Sequence, residues 1–165
     1  MIRLAPPAAL AALASTGLAQ SASFTPYGAG CGLSGPPPLI QAVTLPQLGS
    51  AFTVRYVALP AGQTPVSIDL PALVMGLQQA STPVPVLSSL QPANCNFLTS
   101  SEIAVIMPWN GTSYPSQYTV QIPNDQNLLG VAFHQQWVEL YSRCQPTCTP
   151  MMIRVTNAAT AVVGL

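Results

Sequence analysis

Apolar and polar residues alternate along this chain in short runs, with the period of two that belongs to half-buried strands. The cleanest run sets Tyr118, Val120 and Ile122 against Gln117, Thr119 and Gln121, one face apolar and the other wet. Leu39–Leu45 reads as a strand, and Leu48-Gly49 turns the chain into Ala51–Leu59, where Phe52, Val54 and Tyr56 alternate with Thr53 and Arg55. Pro60-Ala61-Gly62 is a turn, Val66 to Leu70 alternates again, and Ala72–Gly76 is a short apolar strand. Ile103, Val105 and Met107 mark a strand that Pro108 ends, and Trp109-Asn110-Gly111 makes the turn after it. Met151, Ile153 and Val155 alternate with Met152 and Arg154, and Thr160–Val163 closes the chain.

Four stretches depart from this pattern or modify it. Phe24 to Pro38 is a Gly/Pro-rich lead expected to be extended and held by Cys31, while Gln78 to Pro92, with three prolines, reads as a long excursion. Asn124 is placed to cap a single helical turn through Leu128 that Gly130 stops. Val131–Tyr141 reads as a long strand in which Val131 and Phe133 share one face but Val138 and Leu140 the other, a phase change that suggests a β-bulge or a change of environment near Gln135-Gln136. About eight short strands with frequent turn signals and no amphipathic helix imply an all-β fold, an antiparallel β-sandwich of jelly-roll-like type. Prolines that bound strands fit its edges and corners.

Composition narrows the function classes. Charged residues make up 5% of the chain against 49% apolar, with four basic residues, four acidic ones and eighteen prolines in 165 residues. Charge-driven disorder is excluded by that balance. Nucleic-acid binding is excluded too, because phosphate neutralisation needs clustered Lys and Arg. Residues 1–19 have the features of a cleaved signal peptide: Arg3, the apolar run Leu4 to Ala14, then Gly17 and Ala19 at the positions a signal peptidase requires. That run is shorter than the roughly 20 residues of a membrane span, and no other apolar run approaches that length, so no membrane insertion of the mature chain is expected. Residues 20–165 then form a single domain with three arginines against four acids.

Export makes disulfides the default reading of Cys31, Cys95, Cys144 and Cys148. Four cysteines allow three pairings. Pro146 turns the short Cys144–Cys148 segment and favours local closure, which leaves Cys31 to Cys95. With one histidine and no second tight cysteine pair, no metal site is expected, and no cofactor motif is present. Gly28, Gly30 and Gly32 lack the preceding strand and third glycine of a phosphate loop. A hydrolytic triad would have to use His134, the one imidazole, with Asp69 or Asp125 and a serine, and no G-x-S-x-G elbow exists. Pairs among Asp69, Glu102, Asp125 and Glu139 carry no pattern that singles out a glycosidase. Asn110-Gly111-Thr112 matches a glycosylation acceptor and forecasts an exposed loop. No catalytic residue is expected.

The order of short motifs carries a resemblance. Tyr27-Gly28-Ala29-Gly30-Cys31-Gly32 is followed by Leu48-Gly49, Ala72 through Gly76, Asn94-Cys95, Ile122-Pro123-Asn124-Asp125, Leu129-Gly130, then Phe133, Gln135 and Trp137, and finally Val155 through Ala158 to Gly164. In that order they resemble an uncharacterised group of small secreted β-rich bacterial proteins common in planctomycete-like genomes. The resemblance implies an exported β-sandwich and supports the Cys31–Cys95 pair; it carries no activity. The chain departs from the group's pattern in its Cys144–Cys148 insert and its loss of glycine-rich loops.

The expected function is a non-catalytic extracellular structural or adhesion module, free or at the cell surface, whose partner is an extracellular polysaccharide or a cell-surface protein. The alternative is a carbohydrate-binding module. Trp109, Tyr114 and Tyr118 would stack on sugar faces while neighbouring amides meet the hydroxyls.

Overall fold

The structure, a computed structural model, describes residues 20–32, 36–57, 67–87, 89, 94–107, 117–143 and 151–165. Residues 1–19, the turns at Pro60 and Trp109, and both Cys144 and Cys148 lie outside the described residues. The strands are β1 (Ser23–Tyr27), β2 (Leu39–Ala42), β3 (Ala51–Val57), β4 (Ser67–Gly76), β5 (Gln79–Pro83), β6 (Asn96–Thr99), β7 (Ile103–Ile106), β8 (Gln117–Gln121), β9 (Ala132–Arg143) and β10 (Met152–Val162). They form a five-stranded sheet in the order β1-β10-β9-β4-β7, a three-stranded sheet β2-β3-β8, and a two-stranded ribbon β5-β6. Every strand pair is antiparallel. The all-β antiparallel expectation is met.

Several elements differ in detail from the sequence reading. The two stretches around Pro71 are one continuous strand, β4, because Pro71 lies opposite Glu139 and interrupts no pairing. The lead contains β1, paired residue for residue with β10 from Ser23↔Val162 to Tyr27↔Ala158, so a strand does precede Gly28 and the phosphate-loop pattern fails on its third glycine alone. The Gln78–Pro92 stretch opens with β5, whose proline comes at its end. A 3-10 turn spans Gln126–Leu128, and its cap is Asp125 rather than Asn124: Asp125 Oδ1 accepts the Asn127 backbone N–H at 2.9 Å. Gly130 follows with φ 78°, a left-handed conformation that glycine adopts without strain.

The middle of the five-stranded sheet is covered on both faces. Phe133 and Trp137 of β9 point toward the three-stranded sheet, into a core with Phe52, Val54, Ile40, Leu73, Ala159 and Ala161. Val138 and Leu140 point the other way, into a second core with Ile153, Val155, Val84, Cys95 and Phe97 beneath the ribbon. A strand covered on both sides has no wet face, so its apolar residues need not keep one parity. This explains the apparent phase change. β9 pairs with β4 without interruption from Ser67↔Arg143 to Gly76↔His134, so no bulge occurs at Gln135-Gln136. The register shift lies instead on β10, between Val155 and Ala158, where Thr156 and Asn157 are accommodated opposite Trp137. The bulge is held from within, because Thr156 Oγ1 accepts the Trp137 backbone N–H at 3.0 Å.

Cys31 is bonded to Cys95 with a Cα–Cα separation of 5.4 Å. The Cys31 backbone exchanges two hydrogen bonds with Val155, at 2.8 and 3.2 Å, and Cys95 is buried under the ribbon. The bond therefore ties the N-terminal lead to the ribbon across the second core. A Cβ on Gly30 would lie 2.7 Å from the Val155 carbonyl oxygen, so this close approach of two backbones needs glycine.

Candidate functional site

Of the three aromatic residues expected to contact sugar, Trp109 and Tyr114 lie outside the described residues. Tyr118 sits on β8 opposite Val54, half-buried, and packs against the core between the sheets. Trp137 is fully buried. Alternation dictates the first placement, since Tyr118 shares its parity with the inward-facing Val120, whereas Trp137 lies on a strand covered on both faces.

The same alternation turns Gln117, Thr119 and Gln121 outward, onto the outer face of the three-stranded sheet. Gln41, Arg55 and Gln117 occupy one cross-strand row. Within it Arg55 Nη2 donates to Gln41 Oε1 at 2.6 Å. In the next row the Thr53 and Thr119 hydroxyls lie 2.8 Å apart, and Thr44 Oγ1 accepts the Thr53 backbone N–H at 2.8 Å. Among the described residues this face is hydroxyl- and amide-rich and carries one charge, on Arg55. Amides and hydroxyls both donate and accept, so it suits a neutral polar partner rather than an ionic one.

His134, Glu139 and Glu102 are engaged elsewhere. His134 Nδ1 is 3.0 Å from Thr160 Oγ1, and its ring meets Tyr27 edge-on with centroids 5.8 Å apart. Burial lowers its pKa, because desolvation disfavours the charged ring. Glu139 is buried on the opposite face of β9, where Oε2 accepts from the Tyr56 hydroxyl at 2.7 Å and from Arg154 Nε at 2.7 Å. The Glu102 carboxylate is exposed; hydrogen bonds from Ser100 and from the Glu102 and Leu77 amides hold its pKa low. Among the described residues, no three His, Cys, Asp or Glu side chains gather as a metal site.

The polar residues with the most structural consequence are ones to which the sequence reading gave no hydrogen-bonding role. Gln136 is fully buried; its Nε2 donates to the Thr156 and Asn96 carbonyls at 2.7 and 3.3 Å, and its Oε1 accepts the Leu98 N–H at 2.8 Å. Asn157 Oδ1 accepts the Ile40 N–H at 3.0 Å. One amide thus joins the middle sheet to the ribbon, and the other joins it to the three-stranded sheet. Paired glutamines inside a long apolar run were the available signal. Comparison with protein-family models, curated proteins and solved structures finds no match.

Proposed function

We propose that this chain is an exported, non-catalytic structural or adhesion module that meets its partner through neutral polar contacts. The observation that supports this most is the outer face of the three-stranded sheet, where Gln41, Thr53, Arg55, Gln117, Thr119 and Gln121 form a nearly uncharged array. Such a face exchanges hydrogen bonds with hydroxyls or amides without a large desolvation cost for buried charge. The Cys31–Cys95 bond suits an oxidising compartment, and no helix among the described residues is long and apolar enough to cross a membrane. Export through residues 1–19 and kinship with the small secreted bacterial group belong to the same reading. Partners of the right chemistry are an extracellular polysaccharide or a cell-surface protein.

The second reading, a carbohydrate-binding module, draws on continuity. Gln117 and Thr119 follow directly on the segment that carries Trp109 and Tyr114. Pull-down on insoluble polysaccharides and on stripped cell envelopes separates the two. Under the adhesion reading, envelope binding falls in a Gln41→Ala/Gln117→Ala variant and is indifferent to Trp109→Ala. Polysaccharide binding that Trp109→Ala abolishes establishes the second reading instead. Turnover of any polymer that depends on His134 or Glu139 refutes both.

A further inference from the structure

The sheet edges differ sharply in how they are closed. β1, at one end of the five-stranded sheet, carries Pro26, which has no N–H to offer. β2 has its outward Ile40 N–H taken by Asn157. In the ribbon, Gln136 takes the Leu98 N–H of β6, while β5 ends on Pro83 and has an irregular register. β8 shows only Gln117, Thr119 and Gln121 on its exposed side. Among the described residues, β7, the other end of the five-stranded sheet, has none of these devices. Its residues are Ile103, Ala104, Val105 and Ile106; all but Val105 are exposed, Ile103 at 56% and Ile106 at 62%. Though β7 has only four residues, an exposed apolar edge without charge, proline or bulge is a template for another strand.

We propose that β7 is a self-association edge, pairing antiparallel with β7 of a second copy of this chain across a two-fold axis. The parity of the free groups fixes the register. Met107 N–H bonds to the Pro71 carbonyl of β4 at 3.0 Å. In an antiparallel ladder the bonding side alternates residue by residue, so Val105 also faces β4 while Ala104 and Ile106 direct N–H and C=O outward. A two-fold axis at Val105 places Ala104 opposite Ile106 of the partner subunit, and the reverse, closing four backbone hydrogen bonds. Small then lies against large on one face, and Val105 meets its own equivalent. The charges allow it. The strand itself has none, and the antiparallel arrangement keeps the two Glu102 residues at opposite ends, about 20 Å apart at the usual strand rise. Two five-stranded sheets would become one continuous sheet. The pairing is isologous, so it closes at two copies. It is independent of which partner the polar face meets.

Sedimentation velocity on the secreted chain across a dilution series tests this. The expected species is a dimer that dissociates on dilution. Ile106→Pro deletes an outward N–H and leaves the β4 ladder intact; Ala104→Lys adds an exposed charge to the edge. Each raises the dimer dissociation constant at least roughly tenfold, equivalent to about 1.4 kcal/mol, with circular dichroism unchanged. Should Ile106→Pro fail to fold, Ala104→Lys carries the comparison, since its side chain is exposed. Val105→Cys gives a covalent dimer in which peptide mapping links the two copies at position 105, because non-bonded antiparallel pairs bring Cα atoms to ~4.5 Å, within disulfide range. A monomer at every concentration, a dimer indifferent to Ala104→Lys, or no covalent dimer from Val105→Cys would each overturn the proposal.

Discussion

Gln135 and Gln136 are adjacent on β9 and almost equally inaccessible, at 1% and 0% exposure, but they face different layers. Gln136 makes three hydrogen bonds, whereas neither amide atom of Gln135 has a partner among the described residues. Leaving a buried polar group unpaired costs about 1–3 kcal/mol. Gln136→Leu strands Leu98 N–H together with two carbonyls and is expected to destabilise the fold by roughly 3 kcal/mol or more. Gln135→Leu removes an unpaired amide from an apolar setting and is expected to be neutral or to stabilise by about 1 kcal/mol. Urea unfolding of the two variants reads both signs, and equal losses would show that burial alone decides. His134 adds a pH dependence. Its folded pKa lies below the unfolded 6.5, so on acidification the unfolded chain takes up the proton first. The stability tied to this residue is complete above about 6.5 and declines as pH falls below it. A melting series for wild type and His134→Gln should diverge only on the acid side; parallel curves would remove the effect.

The bulge on β10 governs how elements meet. Thr156 closes it on Trp137 N–H, and the displaced Asn157 reaches Ile40 at the edge of the three-stranded sheet. Thr156→Val keeps shape but orphans a buried N–H, an expected loss of about 1–2 kcal/mol measurable by thermal unfolding; no loss would mean the bulge is held by pairing alone. Elements with one wet face were legible in the sequence. β3 and β8 show their alternation because Thr53, Arg55, Gln117 and Thr119 face solvent while Phe52, Val54 and Val120 do not. β9 was legible as a long strand but not in its facing, because Val138 and Phe133 are packed on opposite faces of a doubly covered strand. The β10 bulge was hidden too, since Thr156-Asn157 is loop-like in composition and its purpose depends on β2, far away in sequence. Of the aromatic site, parity alone gave the inward placement of Tyr118.

At the scale of the molecule, three layers share few charges and depend on cross-links of two kinds. The covalent one, Cys31–Cys95, closes a separation of 64 residues. In the chain-entropy model its removal in a Cys31→Ser/Cys95→Ala variant costs about 4 kcal/mol, observable as a lowered denaturation midpoint; an unchanged midpoint would place its role in folding or secretion. The others are side-chain bonds from β9 and β10 to neighbouring backbone, and they make a claim about cooperativity. Leu98 N–H in the ribbon, Trp137 N–H in the middle sheet and Ile40 N–H in the three-stranded sheet are held by Gln136, Thr156 and Asn157. Native-state hydrogen exchange resolves these three amides individually. If the buried amides bind the layers into one cooperative unit, all three exchange with the free energy of global unfolding and shift together in dilute denaturant. Exchange of Leu98 or Ile40 by a separate opening of much lower free energy, with Trp137 still protected, would show that a layer comes away by itself and would contradict the claim.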